Sequence, residues 1–281
     1  RDLVESANIP QIKYFELDEK KTLGFKRNYM HEQCKGSIIV YMDDDDYYPP
    51  DRISHAVERL TKNPKALCAG SSELYIYFKH IQKMYQFGPY GPNHATAGTF
   101  AFKRELLKIT KYNDDACLAE EKEFLHNYTI PFVQLDSLKS ILVFSHNQNT
   151  FDKKKLLQQG DNKFMKQSDK TVDMFIRRKN EDGIKKFFME DIDPLLETYA
   201  PGDPTMKPDV MKQMSEIEKT RAEMIKKQQP KQVMINEPGK EPVPLDIERA
   251  ATIIQSLQGT LRQREEKIKE LEEKIKLLET K

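Results

Sequence analysis

The segment Gly36 to Ile53, GSIIVYMDDDDYYPPDRI, limits most strongly what this chain can fold into. Ser37–Met42 is an unbroken apolar run of strand length, the pattern of a strand covered on both faces. It runs straight into four aspartates, Asp43–Asp46. Like charges side by side repel, so the end of that strand must be solvated by water or neutralised by a divalent cation. The prolines that follow suit a helix N-terminus. Beyond them Ile53, Ala56, Val57 and Leu60 keep a helical period.

The same alternation runs through residues 1–150. IKYFEL (Ile12–Leu17) reads as a strand, and GFKRNYMHEQC as a helix between Gly24 and Gly36. ALCAGSSELYIYF and KMYQFG read as strands, and GPYGPNHATAG as a loop. TFAFKRELL passes from strand to helix, CLAEEKEFLHNY is helical, and FVQLD and ILVFSH are strands. The expectation is an α/β domain of three layers around a mostly parallel sheet. Residues 151–200 then read as a helical extension. Residues 201–246 read as a linker rich in proline and charge around a polar helix at 208–228.

Residues 247–281 carry a heptad repeat. Ile247, Ile254, Leu261, Ile268 and Ile275 recur every seventh position, and Ala250, Leu257, Arg264, Leu271 and Leu278 fill the second register. Isoleucine mostly at a and leucine mostly at d favours a parallel two-stranded coiled coil, hence a homodimer through this segment. Lys267 and Lys274 at g face Glu272 and Glu279 at e of a partner. Arg264 at d weakens the seam.

Composition excludes some roles. With Lys+Arg 46 against Asp+Glu 45 the net charge is +1, so no global field recruits nucleic acid. The three cysteines, Cys34, Cys68 and Cys117, form no CxxC pair and read as free thiols of a reducing compartment. No apolar run reaches membrane-spanning length and no signal peptide is visible, so the expected location is cytoplasmic.

Asp43 and Asp45 project to the same side if the chain stays extended. Either they share a ligand, or the tetrad is an acidic turn capping the next helix. Hard cations prefer such oxygens. The run LGFKRNYMHEQCKGSIIVYMDDDDYYPPDRI resembles the nucleotide-sugar-binding half of family 2 glycosyltransferases of the GT-A (Rossmann-like) fold. Gly24, Arg27, Asn28, Gly36, Asp43, Asp45, Asp46 and Pro50 match its pattern in order and spacing. Its style is also similar to glycosyltransferases encoded by large DNA viruses. The resemblance implies that Asp43 contacts the sugar nucleotide and that Asp45 holds manganese or magnesium on its diphosphate. Arg27 and Asn28 would lie at the nucleotide, or Arg27 would order the aspartate loop.

TAGTFAFKRELL and LAEEKEFLHNY resemble the acceptor half. Glu120 and Glu121 then stand for the Glu-Asp pair that supplies the catalytic base, with Glu121 in place of the usual aspartate. His146, ending ILVFSH, stands for a late histidine that adds a metal ligand. His94 would border the acceptor, and Tyr47 and Tyr48 either wall the pocket or pack at a sheet edge. In that family a first strand precedes everything seen here, so the chain is expected to be truncated at its N-terminus.

The implied activity is metal-dependent, inverting transfer of a sugar from a UDP-sugar to a hydroxyl of a glycan, protein or lipid. The alternative is a catalytically degenerate transferase-like domain that serves as a coiled-coil scaffold. A phosphoryl enzyme is disfavoured, since no Gly-rich phosphate loop is present.

Overall fold

A computed structural model of the chain describes residues 2–118, 120–146, 148–149, 153–158, 162–200, 203, 206–228, 234–235, 243–244 and 247–279. It divides into two units, Arg1–Ile217 and Glu218–Lys281. Of the expected linker over 201–246, the helix at 208–228 is described and most of 229–246 lies outside the described residues.

The first unit contains, in chain order, α1 (Asp2–Ser6), α2 (Leu23–Gln33), β1 (Ile38–Val40), α3 (Arg52–Lys62), β2 (Cys68–Gly70), β3 (Leu74–Phe78) and β4 (Lys83–Phe87). It continues through β5 (Ala101–Lys103), α4 (Glu121–Phe124), β6 (Phe132–Gln134), β7 (Leu142–Ser145), α5 (Lys154–Leu157), β8 (Met165–Gln167), α6 (Asp182–Lys186) and α7 (Ile192–Glu197). Helix α2 starts where Thr22 Oγ1 accepts from Phe25 N, a side-chain cap for an otherwise unpaired donor. At Gly24 a Cβ would lie 1.9 Å from Asn113 O, so only glycine lets this helix lie against the 113–116 loop. Helix α3 buries Arg52, Ala56 and Leu60, while Ile53 and Val57 face outward.

The strands form two four-stranded sheets, ordered β1-β5-β2-β6 and β7-β3-β4-β8. Strand β5 is antiparallel to both its neighbours, with Phe102 opposite Ile39 and Cys68, and β6 is parallel to β2. In the second sheet β7 is parallel to β3, and the β3–β4 and β4–β8 pairs are antiparallel. The mostly parallel sheet expected from the sequence is therefore corrected to two mixed sheets. The turn Lys79–Gln82 between β3 and β4, with Gln82 left-handed at φ 52, is too short for the crossover a parallel pair needs.

The first sheet is packed on both faces. On one face Ile39, Cys68 and Phe102 pack with Phe100, Tyr112 and Phe124, and the other face meets Ala56 and Leu60 of α3. The second sheet packs through Tyr75 and Phe144 on Phe175, Phe188 and Ile192, so residues 172–192 belong to its core.

Two expected elements differ. Ile12–Leu17 forms no strand; no described strand pairs with it, and Ile12, Tyr14 and Phe15 are exposed. The helix expected over CLAEEKEFLHNY shrinks to α4, because His126, Asn127 and Tyr128 take left-handed backbone (φ 48, 55 and 63) and end it.

Helix α8 (Pro208–Gln228) begins in the first unit, where Val210 and Met214 are buried. In the second unit, α9 (Ile247–Glu279) is one helix of 33 residues. Its heptad side chains Ile254, Leu257, Leu261, Ile268, Leu271 and Ile275 are exposed. Among the described residues no helix is long and apolar enough to cross a membrane.

Candidate active site

The aspartate turn at the end of β1 is held from three directions. Tyr41 N donates to Phe100 O at 2.9 Å. Tyr47 exchanges backbone hydrogen bonds with Leu142 of β7, and its hydroxyl donates to Glu181 at 3.0 Å. The Tyr48 hydroxyl accepts from Asp43 N at 2.8 Å and donates to Gly98 O at 3.1 Å. Both tyrosines thus brace the turn. Beneath it Arg52 is 1% exposed, and its Nη2 donates to Tyr41 O, Thr99 O and Phe100 O at 3.3, 2.8 and 2.9 Å. A charged donor on three carbonyls fixes where β1 ends against the approach to β5.

One cluster forms around Asp45. Its Oδ2 lies 3.4 Å from His146 Nε2, at the end of β7. Asn149 Nδ2 donates to that oxygen at 3.2 Å and stands 2.7 Å from His146 Nε2. Burial alone would raise the Asp45 carboxyl. Hydrogen bonding from His146 and Asn149 and the charge of Lys153 outweigh it and bring the carboxyl down to about 2. Asp46 goes the other way: burial pushes it up to about 8, and its Oδ1 has no hydrogen-bond partner. Among the described residues no three His, Cys, Asp or Glu side chains are placed to hold a metal by themselves.

A second cluster forms around Arg27 of α2. Its guanidinium lies over the rings of Tyr41 and Tyr112, at 4.7 and 5.4 Å, and its Nη2 pairs with Glu120 Oε1 at 3.0 Å. Both partners are buried. Burial opposes the Arg27 charge, but Tyr112, Glu120, Tyr41 and Asp43 together hold it above the usual arginine range. Glu120 is thereby committed to an ion pair. At Glu121, the first residue of α4, burial and the Glu120 charge outweigh the pull of Arg27 and push the carboxyl up to about 7. A carboxyl so placed can exchange protons near neutrality.

Asp43 links the clusters. Burial of its carboxylate raises it, Arg27 opposes this, and Asp45 and Glu120 reinforce it. Its Oδ2 leaves no room at Gly98, where a Cβ would come within 2.7 Å. Asp44 is exposed. Asn28 is turned elsewhere: its Nδ2 donates to Tyr112 O and Asp114 Oδ1 at 2.9 and 2.7 Å, bracing the 112–114 loop. The His94 ring lies between those of Tyr90 and Tyr128, tilted to both, with centroids 4.8 Å away.

Residues 1–125 match the family model described as glycosyl transferase family 2. This segment is similar to family 2 glycosyltransferase domains. The match takes in Arg27, Asp43, Asp45, Glu120 and Glu121 and stops before His146. Over 149 residues the chain is also 26% identical to an AMP deaminase of Dictyostelium discoideum, a stretch that is 53% of this chain and 16% of that protein.

Arg52, Tyr41, Tyr112 and Asn149 support the candidate site and were not singled out in the sequence. No local pattern marks any of the four.

Proposed function

We propose that the chain is a metal-dependent glycosyltransferase that moves a sugar from a UDP-sugar to an acceptor hydroxyl with inversion. The observation that carries this reading is the Arg27–Glu120 ion pair. It neutralises one carboxylate of the pair, leaves Glu121 as the proton acceptor, and draws Asp43 into the same field.

In the proposed reaction Glu121 takes the proton of the acceptor hydroxyl as that oxygen bonds to the anomeric carbon. The bond from that carbon to the diphosphate oxygen breaks, and the nucleoside diphosphate leaves with both electrons. A single displacement of this kind inverts the centre. Asp43 would receive the sugar nucleotide, and Arg27 would hold the Glu120–Glu121 step in place. For the cation, Asp45 and His146 offer one oxygen and one ring nitrogen, and an amide N–H group of Asn149 now bridges the two. That donor set fits manganese or magnesium completed by diphosphate oxygens. When bound, the cation supplies positive charge to the departing diphosphate.

The test is transfer and hydrolysis across a UDP-sugar panel with manganese. Activity lost in Asp45→Ala supports the reading. Absence of nucleotide-sugar binding by the chain in the presence of manganese overturns it. The exposed heptad face of α9 favours a second reading, a transferase-like scaffold; it predicts self-association without any UDP-sugar binding.

A further inference from the structure

A cleft of about 510 Å³ is lined in part by His146, and its other lining residues have no role in the proposed transfer. It opens where β3 and β7 run parallel, with Phe78 opposite Ser145, at the strand ends where α/β sheets take ligands. Lys79 and His80 just past β3, Ser145 and His146 at the end of β7, Lys154 of α5 and Asp193 of α7 line it. Ser145 is 3% exposed and its hydroxyl has no hydrogen-bond partner. The Lys79 ammonium is also buried and makes no hydrogen bond; Asp193 answers its charge at 2.7 Å. The Asp193 side chain is 51% exposed against 10% for Lys79. The carboxylate can therefore turn out to water when an arriving anion takes its place, whereas the buried lysine stays and needs a counter-charge. A buried cation, a buried unsatisfied hydroxyl and a displaceable carboxylate together describe a place for an anion.

We propose that this cleft is a subsite for a phosphate or carboxylate group carried by the acceptor. Lys79 and Ser145 are its donors, and Asp193 is its resident competitor. Assigning the anion to an acceptor rests on the transferase reading; the anion site itself does not.

The test titrates the full chain, without nucleotide or divalent cation, with inorganic phosphate and separately with acetate, by calorimetry. Asp193→Asn removes the competitor and is expected to tighten binding about threefold, while Lys79→Met weakens it roughly tenfold. The tighter of the two anions names the source, phosphate or carboxylate. UDP binding with manganese is measured in parallel and is expected to be unchanged in both variants. If UDP fails to bind while phosphate responds to both variants, the donor reading falls and the anion site stands. Phosphate affinity that ignores Asp193→Asn overturns the proposal even where Lys79→Met fails to fold.

Discussion

Glu120 and Glu121 are chain neighbours with different surroundings, and the difference is one guanidinium. Arg27 holds Glu120 at 3.0 Å, and Glu121 is left with burial and a neighbouring negative charge. A base works only when deprotonated, and this carboxyl is raised from 4.5 to about 7. Transfer should therefore rise as pH climbs through neutrality, with kcat/KM levelling above it. A flat profile between pH 5 and 8 would remove Glu121 from the base role. Glu121→Gln should lower kcat by about 10²–10⁴ and leave the donor KM nearly unchanged. In the aspartate tetrad, Asp45→Asn should abolish metal-dependent UDP binding. Asp44→Asn, at an exposed position, should leave it within about twofold. Equal losses in the two variants would mean that the turn acts through its total charge.

At the scale of elements, the turn depends on α3 through Arg52. Its buried guanidinium serves three carbonyls, of which Phe100 O also accepts from Tyr41 N. Arg52→Met keeps the bulk but removes the charged donor from all three, and should cost about 3 kcal/mol in urea unfolding. A loss under about 0.5 kcal/mol would show that water replaces the guanidinium there. None of this is legible from spacing. Arg52 reads as an ordinary basic residue in a helix start, because burial of a charge depends on what folds over it. The aspartates are legible because like charges after a buried strand demand a reason. The partner of Arg27 lies far along the chain, and no local pattern marks Glu120 as the one it takes. The β3–β4 hairpin escapes a reading by alternation, since both strands look alike until the length of the turn between them is weighed. IKYFEL has strand composition, yet composition supplies no partner for its backbone groups, and its side chains stay exposed.

At the scale of the whole molecule, α9 poses a solvation problem. A helix of 33 residues exposes Ile254, Leu257, Leu261, Ile268, Leu271, Ile275 and Leu278 along one seam. Helices in proteins owe most of their stability to packing of such a face against a partner. Lys267 and Lys274 now reach Glu270 of their own helix, at 2.7 and 3.0 Å. Those exposed pairs are weak, and a parallel second copy would offer Glu272 and Glu279 instead. The full chain should therefore sediment as a dimer. Leu271→Glu places a carboxylate in the seam and should shift the chain to monomer at micromolar concentration. Arg264→Leu should do the opposite, because each copy then buries a leucine side chain worth about 1.5–3 kcal/mol where an arginine now interrupts the register. If Arg264→Leu leaves the dimer–monomer equilibrium unmoved, the seam is not built on the a and d positions, and the exposed face of α9 meets something other than its own copy.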